Sequence, residues 1–110
     1  MSWQTIRYRD FYDLPRIFIT NHNGKQYLFD CPFDDELDDY SDNYRVYELP
    51  ANLEDELQGS WERLAERAVG LVGEVPINEV HFDDSKRKRV DTAVLEGLLG
   101  RRDPRTTRVA

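Results

Sequence analysis

The plainest hydrophobic pattern along the chain lies between residues 15 and 31. Pro15 opens Arg16-Ile17-Phe18-Ile19-Thr20, a run of β-branched and aromatic residues that predicts a strand. Asn21-His22-Asn23-Gly24 follows. Asn and Gly tolerate the positive φ of a tight hairpin turn, and His22 reads as an exposed turn residue. Lys25 to Cys31 is the returning strand, with Tyr27, Phe29 and Cys31 on one face and Leu28 and Asp30 on the other. Upstream, Trp3, Ile6, Tyr8, Phe11 and Tyr12 fit neither a strand nor a helix period, so Trp3 to Tyr12 reads as a short strand or an irregular arm. Downstream, Tyr44 to Leu49 predicts another strand, ended by Pro50.

The pattern then changes period. Leu53, Leu57, Trp61, Leu64, Ala68, Leu71 and Val72 recur at steps of 4, 4, 3, 4, 3 and 1, one stripe of an α-helix. Asn52 suits its N-cap, Glu54, Asp55 and Glu56 suit the positive end of its dipole, and Gly70 and Gly73 supply a stop. Glu74 to Phe82 predicts a strand. Lys86 to Leu99 predicts a second helix with an apolar face of Val90, Ala93, Val94, Leu95, Leu98 and Leu99, ended by Gly100. The expected fold is α+β: a mainly antiparallel sheet of about four strands with two helices packed on one face. Residues 1–100 form one domain, and Arg101 to Ala110 form a mobile basic tail.

Composition narrows the class. A chain of 110 residues with thirteen aromatic side chains holds enough apolar material for one core without staples. The single cysteine, Cys31, excludes an intrachain disulfide and fits a reducing compartment. Met1 to Asp10 has no apolar run of the kind a signal peptide needs. Leu64 to Val72, the longest apolar-rich stretch, carries Glu66 and Arg67 and is too short to span a bilayer. A cytoplasmic protein without a membrane partner is expected.

The net charge of −7 is unevenly distributed. Residues 1–58 hold 13 acids and 5 bases, while residues 59–110 hold 9 acids and 10 bases. The N-terminal half therefore repels nucleic acid and attracts basic partners. Six of its acids, Asp34, Asp35, Glu36, Asp38, Asp39 and Asp42, fall within the twelve residues Pro32 to Asn43. Asp34, Glu36 and Asp38 alternate as an EF-hand loop begins. The sixth position is Asp39 where that loop needs Gly, and no Glu closes it at the twelfth, which argues against calcium. The remaining readings are a solvated connection or an acidic protein-binding surface, for which Tyr40 and Tyr44 would supply contact area.

Lys86-Arg87-Lys88-Arg89 is the second anomaly, because four bases oppose the dipole at the start of the expected helix. Asp83 and Asp84 and an Arg87–Asp91 pair would soften the conflict. With Arg101, Arg102, Arg105 and Arg108, the run is a candidate anion or nucleic-acid contact, although no aromatic is interleaved with it. It could equally pair with the acidic loop inside the fold. His81 and Asp83 are the one pair that could serve as a general base, without a nucleophile at any recognisable motif. Two His and one Cys give no zinc spacing, and the six glycines are scattered rather than gathered into a phosphate cradle. No catalytic residue, metal or cofactor is expected.

Tyr12-Asp13-Leu14-Pro15-Arg16-Ile17-Phe18, followed by Gly24 and Tyr27-Leu28, resembles a group of small bacterial proteins of unknown function. In those, a Tyr-Asp-x-Pro-x-hydrophobic-Phe stretch opens a β-hairpin domain. The resemblance covers about residues 8–50 and implies a bacterial accessory protein of the antitoxin, toxin-immunity or phage-conflict kind. It brings no catalytic residues with it. The expectation is a protein-interaction module for a partner with a basic surface. Nucleic acid is not the expected partner, and a homodimer is allowed.

Overall fold

β-Branched and aromatic residues carry nearly half of the described residues into strands, and six of the eight strands join into one antiparallel sheet. The computed structural model describes residues 3–59, 61 and 63–102, apart from the side chains of residues 54, 56, 101 and 102. The long strands are β1 (Trp3–Tyr12), β2 (Leu14–His22), β3 (Lys25–Asp30), β6 (Asn43–Leu49) and β7 (Gly70–Pro76). The short β4 (Phe33–Asp34) and β5 (Asp39–Tyr40) form a separate hairpin, and β8 (Arg89–Asp91) is a three-residue edge. The six-stranded sheet runs β7-β6-β3-β2-β1-β8. Helix α1 is a single turn, Glu54–Leu57, and α2 spans Ala93–Arg102.

The strand count and helix placement differ from expectation. The sheet has six strands rather than about four, and among the described residues only one α-helix is longer than a turn. The covering segments lie on both faces rather than one. Phe18, Phe29, Tyr44, Val46 and Val75 pack with Leu95 and Leu98 of α2. Alternate residues Ile19, Leu28 and Leu49 pack with Leu53, Leu57, Trp61 and Leu64. The sheet is therefore buried on both sides over its central strands, which explains why β2 and β3 read as continuous apolar runs.

The expected first helix fails at a specific carbonyl. Leu57 O accepts the Trp61 indole Nε1–H at 2.9 Å and an Arg9 guanidinium N–H at 3.1 Å. A continuing helix would give that carbonyl to the backbone N–H of residue 61. Gly59, a poor helix former, lies between. The chain resumes only as a 3-10 turn, Leu64–Arg67, and Leu71 and Val72 leave for β7, where Leu71 pairs with Tyr47 of β6 and Val72 sits at a register shift. The apolar stripe is still buried as far as Leu64, because broken turns present it to the sheet much as a helix would.

The second helix starts later than expected. Lys86-Arg87-Lys88 is a loop and Arg89 opens β8, so the four bases do not open a helix and the conflict with the dipole does not arise. Asp91 Oδ1 accepts the Ala93 N–H at 3.0 Å and caps α2, which continues through Gly100. The expected strand Glu74 to Phe82 is also divided. Pro76 ends β7, Ile77–Glu79 is a 3-10 turn, and Phe82 makes only an isolated bridge to Val90. Trp3–Tyr12, which has no clean period, is a full strand because β2 and β8 flank it. Asn23 (φ 53°) and Gly24 (φ 79°) make the hairpin turn, but His22 is buried beside Tyr27 rather than exposed. The expected mobile tail lies largely outside the described residues, and Arg101 and Arg102 belong to α2.

Candidate functional site

The acidic segment folds into the β4–β5 hairpin, with Phe33 opposite Tyr40 and Asp34 opposite Asp39. Its chemistry explains its shape. Asp34 Oδ1 accepts the N–H groups of Glu36 and Leu37, an Asx turn that starts the loop. Asp38 takes φ 53°, a left-handed conformation that Asp tolerates better than most residues. At the base, the Ser41 N–H donates to Pro32 O at 2.8 Å and the Cys31 thiol donates to Ser41 O at 3.1 Å. Burial pushes the Cys31 thiol up from its ordinary pKa against the pull of nearby Arg16, so it is held as a neutral donor.

The hairpin carries apolar side chains as well as acids. Leu37 at its tip is 70% exposed, Phe33 is 50% exposed, and Tyr12, next to the Tyr40 ring, is 64% exposed. The Tyr40 ring stands edge-on to Phe33 at 5.3 Å and lies 5.8 Å from Tyr12. Asp35, Glu36, Asp38, Asp39 and Asp42 are exposed around this group. Sequence patterning missed Phe33, Leu37 and Tyr12 because each lies at an irregular position. An exposed Leu between acids was the one sign available. Tyr44 is a correction: it is fully buried and its hydroxyl donates to Pro15 O at 2.6 Å, so it belongs to the core and not to a binding surface.

Between the hairpin and the sheet lies a cavity of about 340 Å³ that Arg9, Arg16, Asp30, Tyr40 and Trp61 help to line. Arg16 is buried under the hairpin with its guanidinium 4.4 Å from the Tyr40 ring centroid. Arg9 lies 4.4 Å over Trp61. Burial raises the Asp30 carboxyl above its ordinary range, opposed by the Arg45 charge and reinforced by Asp10.

The basic segment is elsewhere. Lys86, Arg87, Lys88 and Arg89 are all exposed, and among the described residues no ion pair joins them to the hairpin. Arg89 instead reaches Asp83 at 3.6 Å. The fold brings aromatics that the sequence order did not: Arg87 lies 4.3 Å over Phe11 and Arg89 6.0 Å from Trp3. Arg105 and Arg108 lie outside the described residues. His81 is exposed, and Asp83 accepts from Ser85 Oγ at 2.9 Å; no hydrogen bond joins His81 to Asp83 among the described residues. Among the described residues no three His, Cys, Asp or Glu side chains form a metal-holding group, and no helix is long and apolar enough to cross a membrane.

No protein-family model matches the chain, and neither a curated protein nor a solved structure shows significant similarity to it.

Proposed function

We propose that the protein is a small interaction module, an accessory of the immunity, antitoxin or inhibitor type, whose β4–β5 hairpin receives a partner with a basic surface. One observation carries this reading: Phe33 and Tyr12, both against the Tyr40 ring, and Leu37 at the hairpin tip are all exposed, with carboxylates interspersed along the hairpin. An apolar centre inside a charged rim is the usual anatomy of a protein contact. The rim sets the sign of the partner and speeds encounter, and burial of the centre supplies affinity. Asp34 also shapes the turn, so the acids are not interchangeable. The lone thiol of Cys31, buried and bonded to Ser41 O, suits a reducing cytoplasmic setting. The test is site-specific photo-crosslinking in the source cell. A photoreactive residue at position 37 should capture a basic protein, the same residue at position 25 should not, and Phe33→Ala should abolish capture. Equal capture from both positions would refute the reading.

A second reading is favoured by the two arginine–aromatic contacts at residues 87 and 89, which give the exposed basic segment the stacking partners that single strands use. It predicts salt-sensitive binding of generic DNA or RNA, weakened by Arg87→Ala. Absence of binding at low salt would end it.

A further inference from the structure

Arg16 is 8% exposed, which is unusual for a guanidinium without a counter-ion. Its Nε–H donates to Tyr12 O at 3.0 Å, and one Nη–H contacts Cys31 Sγ at 3.5 Å. Among the described residues it forms no ion pair with a carboxylate, and its second Nη group has no hydrogen-bond partner. Among the described residues no buried side-chain nitrogen or oxygen lacks a partner, so this Nη group keeps some contact with solvent. Arg16 lines the cavity beside the hairpin. Its charge rests on a carbonyl, a thiol and the Tyr40 ring rather than on a carboxylate, and the cavity gives an anion a way in.

The rest of the lining selects the anion. Arg9 and Arg16 share the lining with two carboxyl groups, Asp10 and Asp30. Burial disfavours the charged form of Asp30, so that carboxyl is a poor counter-ion for Arg16. A single negative charge suits the outer edge of the Arg16 guanidinium, whereas a dianion such as phosphate meets Asp10 and Asp30. The rings of Phe33, Tyr40 and Trp61 offer apolar walls, and about 340 Å³ is at the small end of ligand cavities, room for one ring and its carboxylate.

We infer that this cavity binds a small aromatic monocarboxylate, its carboxylate on the outer edge of the Arg16 guanidinium and its ring against Phe33, Tyr40 and Trp61. The inference does not rest on the partner proposed for the hairpin, although the two surfaces share Phe33, so Arg16→Met and Asp10→Asn are the variants that distinguish them.

The probe is benzoate, titrated against the full chain carrying Trp3→Phe so that Trp61 alone reports by fluorescence. Saturable binding is expected, with benzyl alcohol and inorganic phosphate each at least about tenfold weaker. Arg16→Met should abolish binding. If that variant does not fold, Phe33→Ala, at an exposed wall residue, should weaken benzoate several-fold with the fold intact, and Asp10→Asn should tighten it about threefold. Absence of saturation up to about 20 mM, a weak limit for any ligand site, would overturn the inference. So would benzyl alcohol or phosphate binding as well as benzoate, or Asp10→Asn weakening it.

Discussion

The Arg16 guanidinium lies 4.4 Å from the centroid of the Tyr40 ring. This contact ties a buried residue of β2 to the second strand of the acidic hairpin. Tyr40 in turn orders Phe33 and Tyr12 on the exposed side. The hairpin is thus a braced surface rather than a loose acidic loop. Removing the ring by Tyr40→Ala should broaden the backbone amide signals of residues 33–40 in NMR spectra. The central strands should keep their dispersion, because Tyr40 packs only at the margin of one core and the core on the other face contains no hairpin residue.

Tyr44→Phe deletes the hydroxyl that donates to Pro15 O at 2.6 Å and leaves that carbonyl without its buried partner. A loss of about 1–3 kcal/mol is expected in urea unfolding. The same burial pushes the Tyr44 phenol well above its ordinary pKa. Below about pH 10 both states keep the phenol proton and this residue leaves stability level. Above it the unfolded chain ionises first, so stability falls as pH rises toward the folded value. An absorbance titration should find the Tyr44 phenol ionising only on unfolding.

Asp30 gives a prediction at the other end of the pH scale. Burial raises its folded pKa, with Arg45 opposing and Asp10 adding to the shift. The folded state therefore holds the proton more tightly than the unfolded chain. The associated stability is present at acid pH and is lost as pH rises through the folded value. Asp30→Asn should raise the urea midpoint at pH 7 and change it little near pH 3. A fall at pH 7 would mean that the Arg45 interaction outweighs burial.

Trp61→Ala should cost about 3–5 kcal/mol, the range for a large aromatic removed from a core. Trp61→Phe should cost less, chiefly the indole bond to Leu57 O. Thermal unfolding of both variants orders the two effects.

These cases also mark what the sequence made legible. The β2–β3 hairpin was readable because Asn23-Gly24 and the strand residues agree at every level. The apolar stripe from Leu53 to Leu64 correctly named core residues but not their secondary structure. Burial selects the side chains, whereas the indole and guanidinium at Leu57 O decide whether the helix continues. At residues 86–89 the helix dipole already argued against the expected start, and the competing cap at Asp91 marks where α2 begins. The acidic half of the candidate site was evident from composition. Its apolar half was not, because Tyr12 and Phe33 are brought together only by the Tyr40 ring, and the exposure of Leu37 is set by its place at the hairpin tip.

Leu37→Ala and Phe33→Ala, both on exposed side chains, should change stability by no more than about 0.5 kcal/mol in urea unfolding. Loss of partner capture without loss of stability would separate a binding role from a structural one.

The most direct test is an NMR titration of the isotope-labelled protein with a short synthetic peptide of alternating lysine and leucine, at low and at high salt. Shifts confined to residues 33–40 and Tyr12, weakened by salt and abolished in the stable Phe33→Ala protein, are the predicted result. Shifts at other acidic surfaces alone, or binding untouched by Phe33→Ala, would contradict a hairpin interaction site.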